Sequence, residues 1–142
     1  MMALRPTHFP LPLIGWKEEI HLPDLGGARL VAKIDTGARS SALHAERIAV
    51  SGNRVFFKLG HHHHEMHLKA VKRIKSSNGY SELRPVIETT VEVGGRQFSA
   101  SITLTDRTDM GVPMLLGRAA IRGHFLVHPA RSFLFRPKKA KA

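Results

Sequence analysis

The feature that most restricts this chain is a run of strict alternation around a double glycine. Ile87, Thr89, Val91 and Val93 occupy every second position, Gly94-Gly95 follows, and Phe98, Ala100, Ile102 and Leu104 resume the pattern. A period of two places all these side chains on one face of extended chain, which a helix cannot do. Two glycines between two such runs supply the positive φ angles of a tight hairpin. The pair therefore reads as two long antiparallel strands with one buried face.

Shorter strands fit around it. Trp16 to Leu22 reads as a strand, Pro23-Asp24-Leu25-Gly26-Gly27 as a turn, and Arg29 to Ile34 as a strand with Leu30, Ala32 and Ile34 on one face. Ser40 to Val50 is read as extended. Val55 to Leu59 and Val112 to Leu116 are further strands. Arg118 to Arg122 suits one or two helical turns, and Phe125 to Val127 and Ser132 to Phe135 read as strands about the turn His128-Pro129-Ala130-Arg131. The spacing implies an all-β barrel or sandwich in a single domain. The 142 residues are enough for one modest core. Residues 1–13 are expected to be an N-terminal extension, 14–136 the domain, and 137–142 a basic, disordered tail.

Composition narrows the classes of function. Lys and Arg total 22 against 11 Asp and Glu, a formal net charge of +11. Such an excess favours polyanionic partners: nucleic acid, anionic lipid or an acidic polypeptide. Aromatic residues make up only 6% of the chain, too few for a base-stacking platform, so nucleic acid is disfavoured. No apolar run approaches the roughly 20 residues of a membrane span, and the proline-broken N-terminus lacks a secretory signal. Without cysteine there are no disulfides or thiolate metal sites, and a cytoplasmic location is expected.

Two short motifs carry chemistry. Ile34-Asp35-Thr36-Gly37-Ala38 puts a carboxylate on a tight turn at the end of an apolar strand. Asp-x-Gly alone is a common structural turn. With a small residue after it and β-structure around it, it also suits a carboxylate that activates water, with Thr36 and Gly37 setting the turn. The second motif, Met114-Leu115-Leu116-Gly117-Arg118, offers an apolar strand to pass behind that loop and a glycine for close approach. Hydrolysis by paired carboxylates needs two that share one proton. Asp106 and Asp109 lack the Thr-Gly context. The expectation is a homodimer contributing one Asp35 from each subunit.

The combined motifs resemble a known family. Ile14-Gly15-Trp16, Lys33-Ile34-Asp35-Thr36-Gly37-Ala38-Arg39-Ser40-Ser41-Ala42-Leu43-His44-Ala45, Ser76-Ser77-Asn78-Gly79, Arg84-Pro85-Val86-Ile87-Glu88-Thr89-Thr90, Ile102-Thr103-Leu104-Thr105-Asp106-Arg107 and Met114-Leu115-Leu116-Gly117-Arg118 are similar to the bacterial retropepsin-like proteins that go under the name of ATP-dependent zinc proteases. These are encoded beside glutamate ligases that modify a ribosomal protein. The resemblance implies a pepsin-type closed barrel with one short helix near the C-terminus, working as an aspartic peptidase in a homodimer. Catalytic candidates are Asp35, Thr36 and Gly37.

A lid hairpin over the cleft is expected at Val71 to Arg84, with Ser77, Asn78 and Gly79 at its tip and a basic arm of Lys69, Lys72, Arg73 and Lys75. A plain solvated edge hairpin accounts for it equally well. Further substrate contacts are expected at Ala38, Arg39 and Ser40 and at Leu116, Gly117 and Arg118. Where viral retropepsins carry an acidic residue after the turn, this chain carries Arg39, which favours acidic or glutamate-extended substrates. The alternative implied by the same resemblance is a catalytically inactive module that binds or regulates the glutamate ligase.

Neither name-giving cofactor has its motif. No G-x-x-x-x-G-K-[ST] phosphate cradle and no H-E-x-x-H pair is present. No cofactor is expected. The run His61 to His67 reads as a flexible loop, in which His63 and His67, at i and i+4, are the candidates for adventitious metal binding.

Overall fold

The computed structural model describes residues 11–75 and 79–135. Twelve strands follow in order: β1 (Leu13–Gly15), β2 (Lys17–Leu22), β3 (Ala28–Asp35), β4 (Ser41–His44), β5 (Glu46–Ser51), β6 (Arg54–Leu59), β7 (His62–His67), β8 (Ala70–Lys75), β9 (Ser81–Val93), β10 (Arg96–Thr105), β11 (Met114–Gly117) and β12 (Leu126–His128). A 3-10 turn covers Thr108–Met110, and the one short helix among the described residues, α1, is Arg118–Ile121. No helix among the described residues is long and apolar enough to cross a membrane.

Six strands close on themselves. The ring runs β9-β10-β4-β11-β3-β2 and returns to β9, with β8 added outside β9. The alternating sequence is the wall of this barrel: Phe98 pairs Val91 and Ile102 pairs Ile87 across the β9–β10 hairpin. Gly94 and Gly95 have φ of 59° and 76°, the two positive angles the sequence predicts for the turn. The inward residues Ile20, Leu22, Ala32, Ile34, Leu43, Ile87, Val91, Ile102, Leu104, Met114 and Leu116 form one core. The barrel rather than the sandwich is chosen because β9 pairs with β10 along one edge and reaches β2 at His21↔Glu92 on the other.

Two predictions fail instructively. The histidine run is not a loop: it forms β7, paired antiparallel to β6 from Arg54↔His67 to Leu59↔His62. Phe57 is buried and its ring meets His64 at 5.6 Å, so His64, with Met66, lies on the covered face of the strand while His62, His63 and His67 are exposed. Burial, then the neighbouring His62 and His63, hold the His64 imidazole below its ordinary pKa. In extended chain His63 and His67 stand about 13 Å apart, so the helical i, i+4 pairing does not form. Among the described residues no group of three metal-ligating side chains gathers.

The second failure is Ser132 to Phe135, predicted as a strand after β12. β12 instead pairs parallel to β1, and residues 132–135 form no strand. Their N–H groups are taken locally: Phe133 donates to the Lys17 carbonyl, and Leu134 and Phe135 donate to the Glu18 carboxylate at 2.9 and 3.3 Å. Glu18 is wholly buried and also accepts the Gly15 N–H at 2.8 Å. Three backbone donors converging on one carboxylate explain how a charged residue sits inside the fold.

Candidate active site

Asp35 is the last residue of β3, and Gly117 is the last residue of β11. The two strands run parallel, with Leu116 opposite Ile34 and Gly117 opposite Asp35. The two motifs, some eighty residues apart in sequence, thus end side by side. After Asp35 the chain turns tightly: the Gly37 N–H donates to Asp35 Oδ1 at 3.1 Å and the Ala38 N–H to the Asp35 carbonyl at 3.3 Å. Thr36 and Gly37 are exposed at the tip, while Asp35 is half-buried.

The loop is fastened from below. The Arg118 and Ala119 N–H groups donate to the carbonyls of Ala38 and Arg39 at 2.7 and 3.1 Å. The Arg118 guanidinium donates to the Thr36 carbonyl at 3.0 Å. Gly117 donates its N–H to the buried Ser41 hydroxyl at 2.9 Å, and Thr103 donates to the Ser41 carbonyl at 2.8 Å. Ser41 therefore links β4, β10 and β11 beneath the loop. In the sequence Ser41 stands out only as part of a longer matching stretch, because its role rests on a contact 76 residues away.

Gly117 has no room for a side chain. A Cβ there would lie 2.5 Å from the Ser40 carbonyl oxygen and 2.7 Å from that of Arg39, both backbone atoms that cannot swing aside. Gly117→Ala is expected to destabilise the protein by about 2 kcal/mol, read as a fall in thermal midpoint. A midpoint unchanged from wild type would show that the loop yields freely.

No cation stands within 4 Å of the Asp35 carboxylate among the described residues. Asp106 and Asp109 lie elsewhere. Asp109 is bound twice by Arg107, at 3.1 and 3.3 Å, and that hydrogen-bonded cation holds its carboxyl below the usual range. Asp106 is 4.0 Å from His44. His44 ends β4, three residues from Ser41, which puts this cluster about 10 Å along the strand from the Asp35 loop. Among the described residues the chain thus presents one carboxylate of the required kind at this site.

The other sequence-predicted contacts divide. Ala38, Ser40, Leu116, Gly117 and Arg118 gather around the loop. Arg39 is exposed beside it and lines a cleft of about 290 Å³. The hairpin of β8 and β9 forms as expected, its last described pair being Lys75↔Ser81. Ser77 and Asn78 lie outside the described residues, and Gly79 has φ of +89°.

Comparison with known proteins is decisive at this point. Residues 57–138, more than half of the chain, match the RimB-like family, described as the retropepsin-like aspartic endopeptidase RimB. The chain belongs to that family. Two relatives are named as probable alpha-L-glutamate ligases. The Shewanella pealeana protein is 38% identical over 133 residues, covering 85% of this chain and 29% of its own length. The Desulfotalea psychrophila protein is 33% identical, covering 83% and 28%. At that coverage of this chain both alignments span Asp35, which lies outside the 57–138 match. The chain accounts for less than a third of the ligase relatives it matches. Among solved structures, a Legionella pneumophila protein of unknown function superposes with a TM-score of 0.71 at 28% identity, over 88% of this chain and 98% of its own. A segment similar to this chain thus occurs within longer polypeptides named as probable ligases, and the fold makes up nearly the whole of the Legionella structure.

Proposed function

We propose that this RimB-like chain is an aspartic endopeptidase that works as a homodimer and cleaves acidic or glutamate-extended peptides. The observation that carries the reading is the Asp35 carboxylate, fixed at the end of β3 against Gly117. Among the described residues it is paired with no cation and has no second suitable carboxylate beside it. A second copy would bring the missing partner to the exposed Thr36-Gly37 tip. Two carboxylates held about 3 Å apart cannot both ionise cheaply and share one proton. The ionised one takes a proton from water as its oxygen adds to the scissile carbonyl carbon, while the protonated one gives its proton to the carbonyl oxygen. Collapse of the tetrahedral species breaks the C–N bond, and the leaving amine takes up a proton.

The acidic preference rests on Arg39 next to the loop, on the net charge of +11, and on the relatives named as glutamate ligases. A second reading is favoured by one fact, that these relatives carry the RimB-like segment as 28–29% of a ligase polypeptide. It is a retropepsin-fold module that binds or regulates a glutamate ligase without hydrolysing anything.

The substrate claim has a direct test. Hydrolysis of poly-glutamate and neutral peptides is compared for the wild type and Arg39→Ala. The variant is expected to lose about tenfold in kcat/KM on the acidic peptide and to keep its rate on the neutral one. Equal rates on both peptides by the wild type would end the acidic assignment.

A further inference from the structure

Beside the Asp35 loop, the 290 Å³ cleft has Arg39 on one wall and Lys72, from the β8 arm, on another. Ser99 and Ser101 of β10 and Ala119 and Ala120 of α1 supply much of the remainder, so its width is set by small side chains and backbone. Among the described residues no carboxylate lines it. Neither Arg39 nor Lys72 has a carboxylate within 4 Å among the described residues. The nearby Lys69 is the contrast. Its ammonium lies 3.0 Å from Glu88 and donates to Ser101 at 2.7 Å, and Ser99 donates to the same Glu88 at 2.8 Å. Lys69 pulls the Glu88 carboxyl below its usual range. One cation at this edge is thus neutralised and two are left facing shared solvent.

We propose that Arg39 and Lys72 form a carboxylate-binding subsite, split between the Asp35 loop and the hairpin arm, that takes an acidic side chain of a bound peptide. Like charges sharing a small cleft repel, and an anion between them relieves that repulsion while gaining two charge-assisted contacts. The guanidinium offers a planar fork to a carboxylate and the ammonium a single mobile donor, so the pair suits one carboxylate approached from two sides. Because one cation rides on the barrel loop and the other on β8, an occupied subsite also ties the arm to the barrel. The biological occupant rests on the peptidase reading above; the anion site itself does not.

The test uses full-length protein carrying Asp35→Asn, so that nothing is turned over. Tetraglutamate, tetraglutamine and inorganic phosphate are titrated at low ionic strength while the amide resonances of residues 39–41, 72, 99–101 and 119–120 are followed by NMR. Tetraglutamate is expected to shift these amides. Adding Lys72→Ala should raise its Kd about tenfold, and Lys72→Arg should restore it to within twofold. A Kd unmoved by Lys72→Ala, or equal shifts from tetraglutamine, overturns the subsite. Phosphate binding as tightly as tetraglutamate overturns its assignment to a peptide side chain in favour of a free oxyanion. Intact tetraglutamate binding in a protein whose wild type cleaves no peptide would sink the peptidase reading and leave the subsite standing.

Discussion

Asp35→Asn is expected to abolish peptide hydrolysis, lowering kcat by about a thousandfold or more, while the folded structure stays intact. The size follows from the chemistry. The carboxylate must accept a proton from water, which an amide cannot do, and general-base contributions alone reach about 10²–10⁴. The structure says why the fold should survive. Asp35 ends its strand half-buried, and its side chain accepts the 3.1 Å bond from the Gly37 N–H, which an amide oxygen accepts as well. The change in stability should stay under about 1 kcal/mol. Three measurements on one preparation decide it: kcat on a glutamate-rich peptide, the thermal midpoint, and the association constant by sedimentation equilibrium. Lost activity with unchanged midpoint and self-association is the expected set. A variant within tenfold of wild-type kcat would remove Asp35 from the chemistry, and wild-type protein that is active as a strict monomer would remove the shared dyad.

The largest stability effect should come from a residue with no place in the proposed reaction. Glu18→Ala strips the acceptor from the N–H groups of Gly15, Leu134 and Phe135 at once. A fully buried donor left without a partner costs about 1–3 kcal/mol. Gly15 is buried while Leu134 and Phe135 are part-buried, so the total falls short of three full penalties, at roughly 3–6 kcal/mol against a typical domain stability of about 5–15 kcal/mol. The thermal midpoint should fall by about 10 °C or more. Glu18→Gln keeps the shape and one acceptor oxygen but sets an amide N–H₂ against backbone donors, and should fall between. Thermal denaturation followed by circular dichroism would show it; a loss below about 1 kcal/mol for the alanine variant would mean that water replaces the carboxylate easily.

These two residues mark where sequence reasoning succeeds and where it stops. Asp35 and Gly117 are legible because each carries a local signature, a carboxylate on a glycine turn and a glycine ending an apolar strand. Their adjacency follows once the strands are placed in parallel register. The β9–β10 hairpin is legible because alternation and turn chemistry agree. Glu18 has no local mark: it is one acid in a strand, and its partners Leu134 and Phe135 lie 116 and 117 residues away. The same contact hides the conformation of residues 132–135, whose apolar run Phe133-Leu134-Phe135 suggests a strand although the N–H groups of Leu134 and Phe135 go to the Glu18 side chain. The histidine run misleads in the opposite sense, because pairing with β6 and the packing of His64 on Phe57 outweigh a polar, repetitive composition. Lys72 could be assigned to a basic hairpin arm, but not to a cleft with Arg39, Ser99 and Ser101, since those walls converge from three separate elements.

Strand β9 has a further consequence for motion. It is 13 residues long, yet only its stretch from Val86 onward pairs with β10; residues 81–85 pair with β8 alone. Pro85, which has no N–H to give, sits one residue before the second partner is gained. Val71 and Leu83 on this arm are largely exposed. One strand thus runs through both the closed ring and the less paired arm. The outer part of the β8–β9 hairpin is therefore expected to exchange its amides faster than the ring, tied back to it at residues 81–85 by the Thr105 hydroxyl donating to Glu82 at 3.2 Å and by the buried Arg84.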